Sequence, residues 1–208
     1  MTKTFLSLAA AAAMLMGASG AHAVIYTFNA SLAGANELPT GSGATATGIA
    51  TLAYNTMGTV SLADDTYDFS MSVFGLSGAS GGRAASAFHI HGAATTTENG
   101  PVRVSLDAAP FLALNAGTTL LVGGGGVAAP VSIPMTPVTG TNAGHAAMSF
   151  LDMLQGGLAY VNVHTTLNPG GAVRGQLIQV SAVPEPSTYA MLLVGVAGLG
   201  FVARRRQC

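Results

Sequence analysis

Tyr67-Asp68-Phe69-Ser70-Met71-Ser72-Val73 decides the fold. Every second side chain is aromatic or aliphatic, and Asp or Ser stands between. That period of two belongs to a strand with one buried face and one wet face. The same beat returns at Val102, Val104 and Leu106, which alternate with Arg103 and Ser105. Ala159, Val161 and Val163 alternate with Tyr160, Asn162 and His164, while Val173 and Leu177 oppose Arg174 and Gln176. Weaker strand signals lie at 24–30, 49–54, 59–62 and 118–122. Clusters of Gly, Asn and Thr separate the runs.

These intervals predict an all-β chain, an antiparallel β-sandwich of Greek-key, superoxide-dismutase-like or Ig-like type. One short helix is expected over 146–154, where Met148, Leu151 and Leu154 share a face. The stretch 107–145 holds Gly123 to Gly126 and Pro130, Pro134 and Pro137, and reads as a long insertion with one strand at 118–122.

Both ends have other jobs. Lys3, the Ala/Leu/Met-rich run Phe5 to Met16 and Ala21-His22-Ala23 form a secretory signal peptide, residues 1–23, removed after Ala23. At the far end Pro184-Glu185-Pro186 precedes an apolar run to Ala203 and then Arg204-Arg205-Arg206. The apolar run is expected to form a C-terminal hydrophobic, transmembrane helix, with the arginines as a cytoplasmic stop. This order resembles the PEP-CTERM sorting tail of Gram-negative bacteria, here residues 183–208. The resemblance implies signal peptidase and exosortase as processing partners, membrane contact through the helix before processing, and secretion to the cell surface or extracellular matrix.

Between the ends, residues 24–182 form one domain of about 160 residues, enough to bury a core without staples. Arg83, Arg103 and Arg174 face seven acids, a net charge of −4 with no lysine. Nucleic-acid binding needs clustered cations, so that partner is excluded. The sole cysteine, Cys208, lies in the tail, so the domain can form no internal disulfide.

Four stretches of the domain resemble the CHRD family. They are Leu32-Ala33-Gly34-Ala35-Asn36-Glu37-Leu38-Pro39; Phe88-His89-Ile90-His91-Gly92; Asn99-Gly100-Pro101-Val102; and Tyr160 to Thr165 with Asn168-Pro169-Gly170-Gly171 and Arg174-Gly175-Gln176-Leu177. Ala172 stands where the family often carries an acid. The resemblance implies a domain type and a location, with no reaction attached. The family motif residues are Asn162, Asn168, Pro169, Gly170, Gly171, Arg174, Gly175 and Gln176.

On a strand His89 and His91 share one face, and His164 lies on the polar face of its own strand. If those strands are neighbours, three imidazoles converge and can chelate a borderline ion, copper or zinc. The pattern resembles part of the copper site of the Cu/Zn superoxide dismutases. That likeness implies His89, His91 and His164 as ligands, Arg174 as an outward-pointing guide, and His145 as an available fourth ligand. The bland reading has His89 and His164 bonding the 168–171 turn. The sequence thus leaves three functions: a non-enzymatic surface or biofilm-matrix module, a copper-binding metalloprotein, and an exopolysaccharide-binding module.

Overall fold

A computed structural model describes residues 23–77, 84–134, 144–180 and 194–196. The strands are β1 (Ile25–Ala33), β2 (Thr47–Asn55), β3 (Thr66–Phe74), β4 (Ala87–His91), β5 (Val102–Ser105), β6 (Leu112–Ala116), β7 (Thr119–Ala128), β8 (Tyr160–His164), β9 (Val173–Gln176) and β10 (Ile178–Val180). A single 3-10 turn, Gly34–Asn36, follows β1, and the helix α1 (Phe150–Gln155) precedes β8.

All pairings are antiparallel, in the order β5-β4-β8-β9-β1-β2-β3-β7-β6, with β10 also on β1. Strand β1 is the spine. One edge pairs with β2 along its whole length; the other meets β10 at Thr27–Asn29 and β9 at Ala33. The two wings curl towards each other, a half-barrel or sandwich. Their inner faces share one core, in which Leu52, Phe69, Met71 and Val73 from one wing join Ile90, Val161, Val163 and Val173 from the other. Phe150 of α1 plugs one end, its ring 5.3 Å from Tyr67.

The Tyr67–Val73 alternation is realised in β3, whose burial alternates along its length. Other segments depart from expectation. Residues 59–62 form a loop: Thr59 Oγ1 donates to the Asp64 carboxylate and to the Ser61 carbonyl, and Val60 is fully exposed. The 107–145 stretch extends the sheet, because β6 and β7 form a hairpin beyond β3.

The strand expected at 118–122 runs on through Gly123–Gly126 to Ala128. At Gly124 the Phe111 ring fills the place of a side chain, 2.6 Å from where a Cβ would lie. At Gly126, φ is +61° and its N–H donates to Asp68 Oδ1, 2.7 Å, where the β3–β7 register slips. Glycine there supplies the left-handed residue of a bulge.

The helix begins later than its apolar spacing suggests. Ser149 caps it through a capping box with Asp152, and Met148 is held outside by a bridge to Ile133.

The C-terminal expectation is corrected. Among the described residues no helix is long and apolar enough to cross a membrane. Of that tail only residues 194–196 are described, as helix. The described fold therefore has two short helices in place of one short and one long hydrophobic helix, and membrane contact through such a helix falls with it. The signal peptide up to residue 22, the Pro184-Glu185-Pro186 motif and Arg204-Arg205-Arg206 lie outside the described residues.

Candidate metal centre

Strand β8 lies between β4 and β9, in a register that sets His91 beside Tyr160, His89 beside Asn162 and Ala87 beside His164. On the other side Asn162 meets Arg174 and Tyr160 meets Gln176. Phe88, Ile90, Val161, Val163 and Val173 enter the core. Period two then puts His89, His91, Tyr160, Asn162, His164, Arg174 and Gln176 together on the opposite face.

That face is not the wet surface the sequence suggests. Asn162, His91 and Arg174 are buried, and Tyr160 is 2 % exposed. Loops roof it over. Arg174 donates to the carbonyls of Thr95 and Glu98, both at 2.8 Å, and to Asn99 Oδ1. Gln176 donates to Ala94 O, Ser42 Oγ to Ala172 O, and Asn36 Nδ2 to Arg174 O. Gly175 lets β9 approach β1, since a Cβ there would lie 2.6 Å from the Ser31 carbonyl oxygen.

Under the roof the three histidines meet. Their ring centroids stand 5.3–5.8 Å apart, and one ring nitrogen of each lies within 4.8 Å of the other two. His91 Nδ1 faces Gly100 O at 2.9 Å, and His164 Nδ1 faces Pro169 O at 3.0 Å. A carbonyl can only accept, so both Nδ1 atoms carry the proton and both Nε2 atoms keep a lone pair. Those Nε2 atoms, together with His89 Nδ1, are buried and have no hydrogen-bond partner. The bland reading is therefore half realised: the 168–171 turn does bind His164, and in doing so aims its other nitrogen inward.

Burial also favours the neutral form of His89 and His91. It holds His91 down at about 4, only partly opposed by the Gly100 bond and helped by the neighbouring histidines and Arg174. Burial lowers His89 as well, with His164 adding to it and Asp107 opposing it. His89 and His91 thus offer neutral nitrogen donors, the form that ligates metal. Bonds of ~2.0 Å require nitrogens roughly 3.3–3.5 Å apart, so the rings must close by about 1 Å. Carbonyls on the far nitrogens are the usual outer support of a ligating imidazole.

Other expected residues lie elsewhere. His145 faces Glu98, Nε2 to Oε2 3.7 Å, and does not join the three. Arg174 is 2 % exposed, its guanidinium 3.6 Å from the Tyr160 ring centroid, so it points into the roof and not out as a guide. The 168–171 turn helps to hold this face together. Asn168 O accepts from the N–H groups of Thr165 and Gly171, and Pro169 supplies the His164 acceptor.

The roles of three residues escaped the sequence reading. Tyr160 stacks on His91 at 5.0 Å, and its hydroxyl is bonded to both the N–H and the carbonyl of Gly100. Glu37 is 6 % exposed; desolvation raises it to about 7, against the pull of Arg174 and Asn162. Gly171, with φ +142°, makes room for it: a Cβ there would lie 2.5 Å from Glu37 Oε2. Glu37 does fall within the quoted Leu32–Pro39 stretch, but nothing in its spacing shows that the loop folds under β9.

Comparison with known families places residues 28–177 in a match to the CHRD domain and residues 182–206 in a match to the PEP-CTERM protein-sorting motif. No curated protein and no solved structure matches the chain.

Proposed function

Since the chain belongs to the CHRD domain family and carries a PEP-CTERM protein-sorting motif, we propose that it is a secreted, non-enzymatic surface or extracellular-matrix protein of a Gram-negative bacterium that holds one transition-metal ion, copper or zinc, on His89, His91 and His164. Signal peptidase would release it after Ala23, and exosortase would act on the tail carrying Pro184, Glu185 and Pro186.

One observation carries the metal reading: three buried imidazole nitrogens face one another with no partner. A buried, unpaired acceptor costs about 1–3 kcal/mol. A single cation would satisfy all three at once, and imidazole suits copper and zinc.

The test is metal content after reconstitution of the domain with copper and with zinc. One ion per chain is expected, lost in the His89→Ala/His91→Ala variant; a metal-free wild-type domain would refute the reading. Deleting residues 184–208 should change fractionation of the protein while leaving metal content intact. Unchanged fractionation would count against the sorting role.

A further inference from the structure

We propose that the centre is tuned to monovalent copper, and that the buried Arg174 guanidinium sets this preference; the inference rests on the three histidines holding an ion. Two independent features lead there. The first is the donor set. It consists of three imidazoles, and among the described residues no carboxylate or thiolate joins them. A closed structural zinc site takes four protein ligands. Three neutral nitrogens suffice for trigonal Cu(I), while a dication here would lack an anionic ligand to offset its charge.

The second is the charge behind the donors. Arg174 lies against the Tyr160 ring, 3.6 Å from its centroid, and that ring is stacked 5.0 Å from His91 at an interplanar angle of 18°. With Arg174 2 % exposed, water screens its field poorly. At a separation of roughly 8–10 Å and an effective dielectric near 20, one further unit of charge on the ion is disfavoured by about tenfold or more.

Two acids act the other way. Asp107 faces His89 but is exposed, so solvent damps it. Glu37 is buried close enough for its charge and that of Arg174 to act on each other, and it partly offsets the guanidinium. Charge changes at Arg174 and Glu37 should therefore move the Cu(II)/Cu(I) balance in opposite directions, which loss of packing alone would not do.

The experiment measures dissociation constants of the domain for Cu(I), under anaerobic ascorbate with bicinchoninate as competitor, and for Cu(II) and Zn(II) with nitrilotriacetate, all at pH 8. Wild type should bind Cu(I) most tightly. Arg174→Met should shift the Cu(II)/Cu(I) ratio about tenfold towards Cu(II), equivalent to about 59 mV lower potential; Glu37→Gln should shift it towards Cu(I). Tighter binding of Zn(II) or Cu(II) than of Cu(I) by wild type would overturn this inference alone. So would a ratio that moves the same way, or not at all, in both variants. Failure to bind any of the three ions would overturn the metal reading as well. Should Arg174→Met not fold, the wild-type ranking and Glu37→Gln still decide.

Discussion

At the scale of single residues, the site depends on side chains that hold other side chains. Tyr160 reaches across to both polar groups of Gly100, whose carbonyl also fixes His91. Tyr160→Phe should cost about 1–3 kcal/mol by leaving the Gly100 N–H unpaired, measurable by urea denaturation. It should also weaken metal binding by loosening His91. Gly171→Ala meets a strained φ of +142° and the Glu37 carboxylate. A loss of roughly 2 kcal/mol or more is expected.

Acid should destabilise the metal-free domain through His91. Its folded value of about 4 lies below the ordinary 6.5, so the unfolded chain takes up a proton that the folded chain refuses. Stability from this group is complete above about 6.5 and lost as pH falls to about 4, on the order of 3 kcal/mol. Glu37 has the opposite sign. Raised to about 7, it favours the folded state as pH falls from 7 towards 4.5. The two offset each other in wild type, and Glu37→Gln should expose the His91 loss as a steeper acid limb in a melting-temperature profile. An unchanged limb would contradict this assignment.

At the scale of elements, alternation was legible where one face alone is buried. Strand β3 shows it plainly, and its pattern is copied in the burial of Tyr67, Phe69, Met71 and Val73. Strand β8 hides the opposite case. Tyr160 and Asn162 have polar groups, so their face reads as wet, yet both are buried because loops cover it. A roof built from residues distant in sequence leaves no periodic trace. Glycine misled in β7 for a related reason: the Phe111 ring that replaces a side chain at Gly124 comes from outside the strand.

The short helix α1 was visible in its apolar positions, but its start is set by the Ser149–Asp152 capping box. Ser149→Ala should cost about 1 kcal/mol in thermal or urea unfolding. A change within ±0.5 kcal/mol would mean that packing of Phe150, and not the cap, fixes the helix.

For the whole molecule, export and architecture explain each other. A domain without internal cysteines cannot use a disulfide outside the cell, and its stability comes from a core shared by both wings of one curled sheet. A bound ion would add to that by mass action, about 2.7 kcal/mol at a hundredfold excess over its dissociation constant. The ion would also tie strands β4 and β8 to the loops that carry Gly100 and Pro169. The His-x-His pair and His164 could be named from sequence because ligand chemistry restricts residue type. Their convergence could not, since it depends on β4 and β8 pairing although the whole stretch from His91 to Tyr160 lies between them.

X-ray absorption on the copper-loaded, reduced domain tests this account most directly. Three imidazole nitrogens at ~2.0 Å around one copper are expected, falling to fewer in His164→Ala. A spectrum without imidazole scattering, or one unchanged by that substitution, would contradict it.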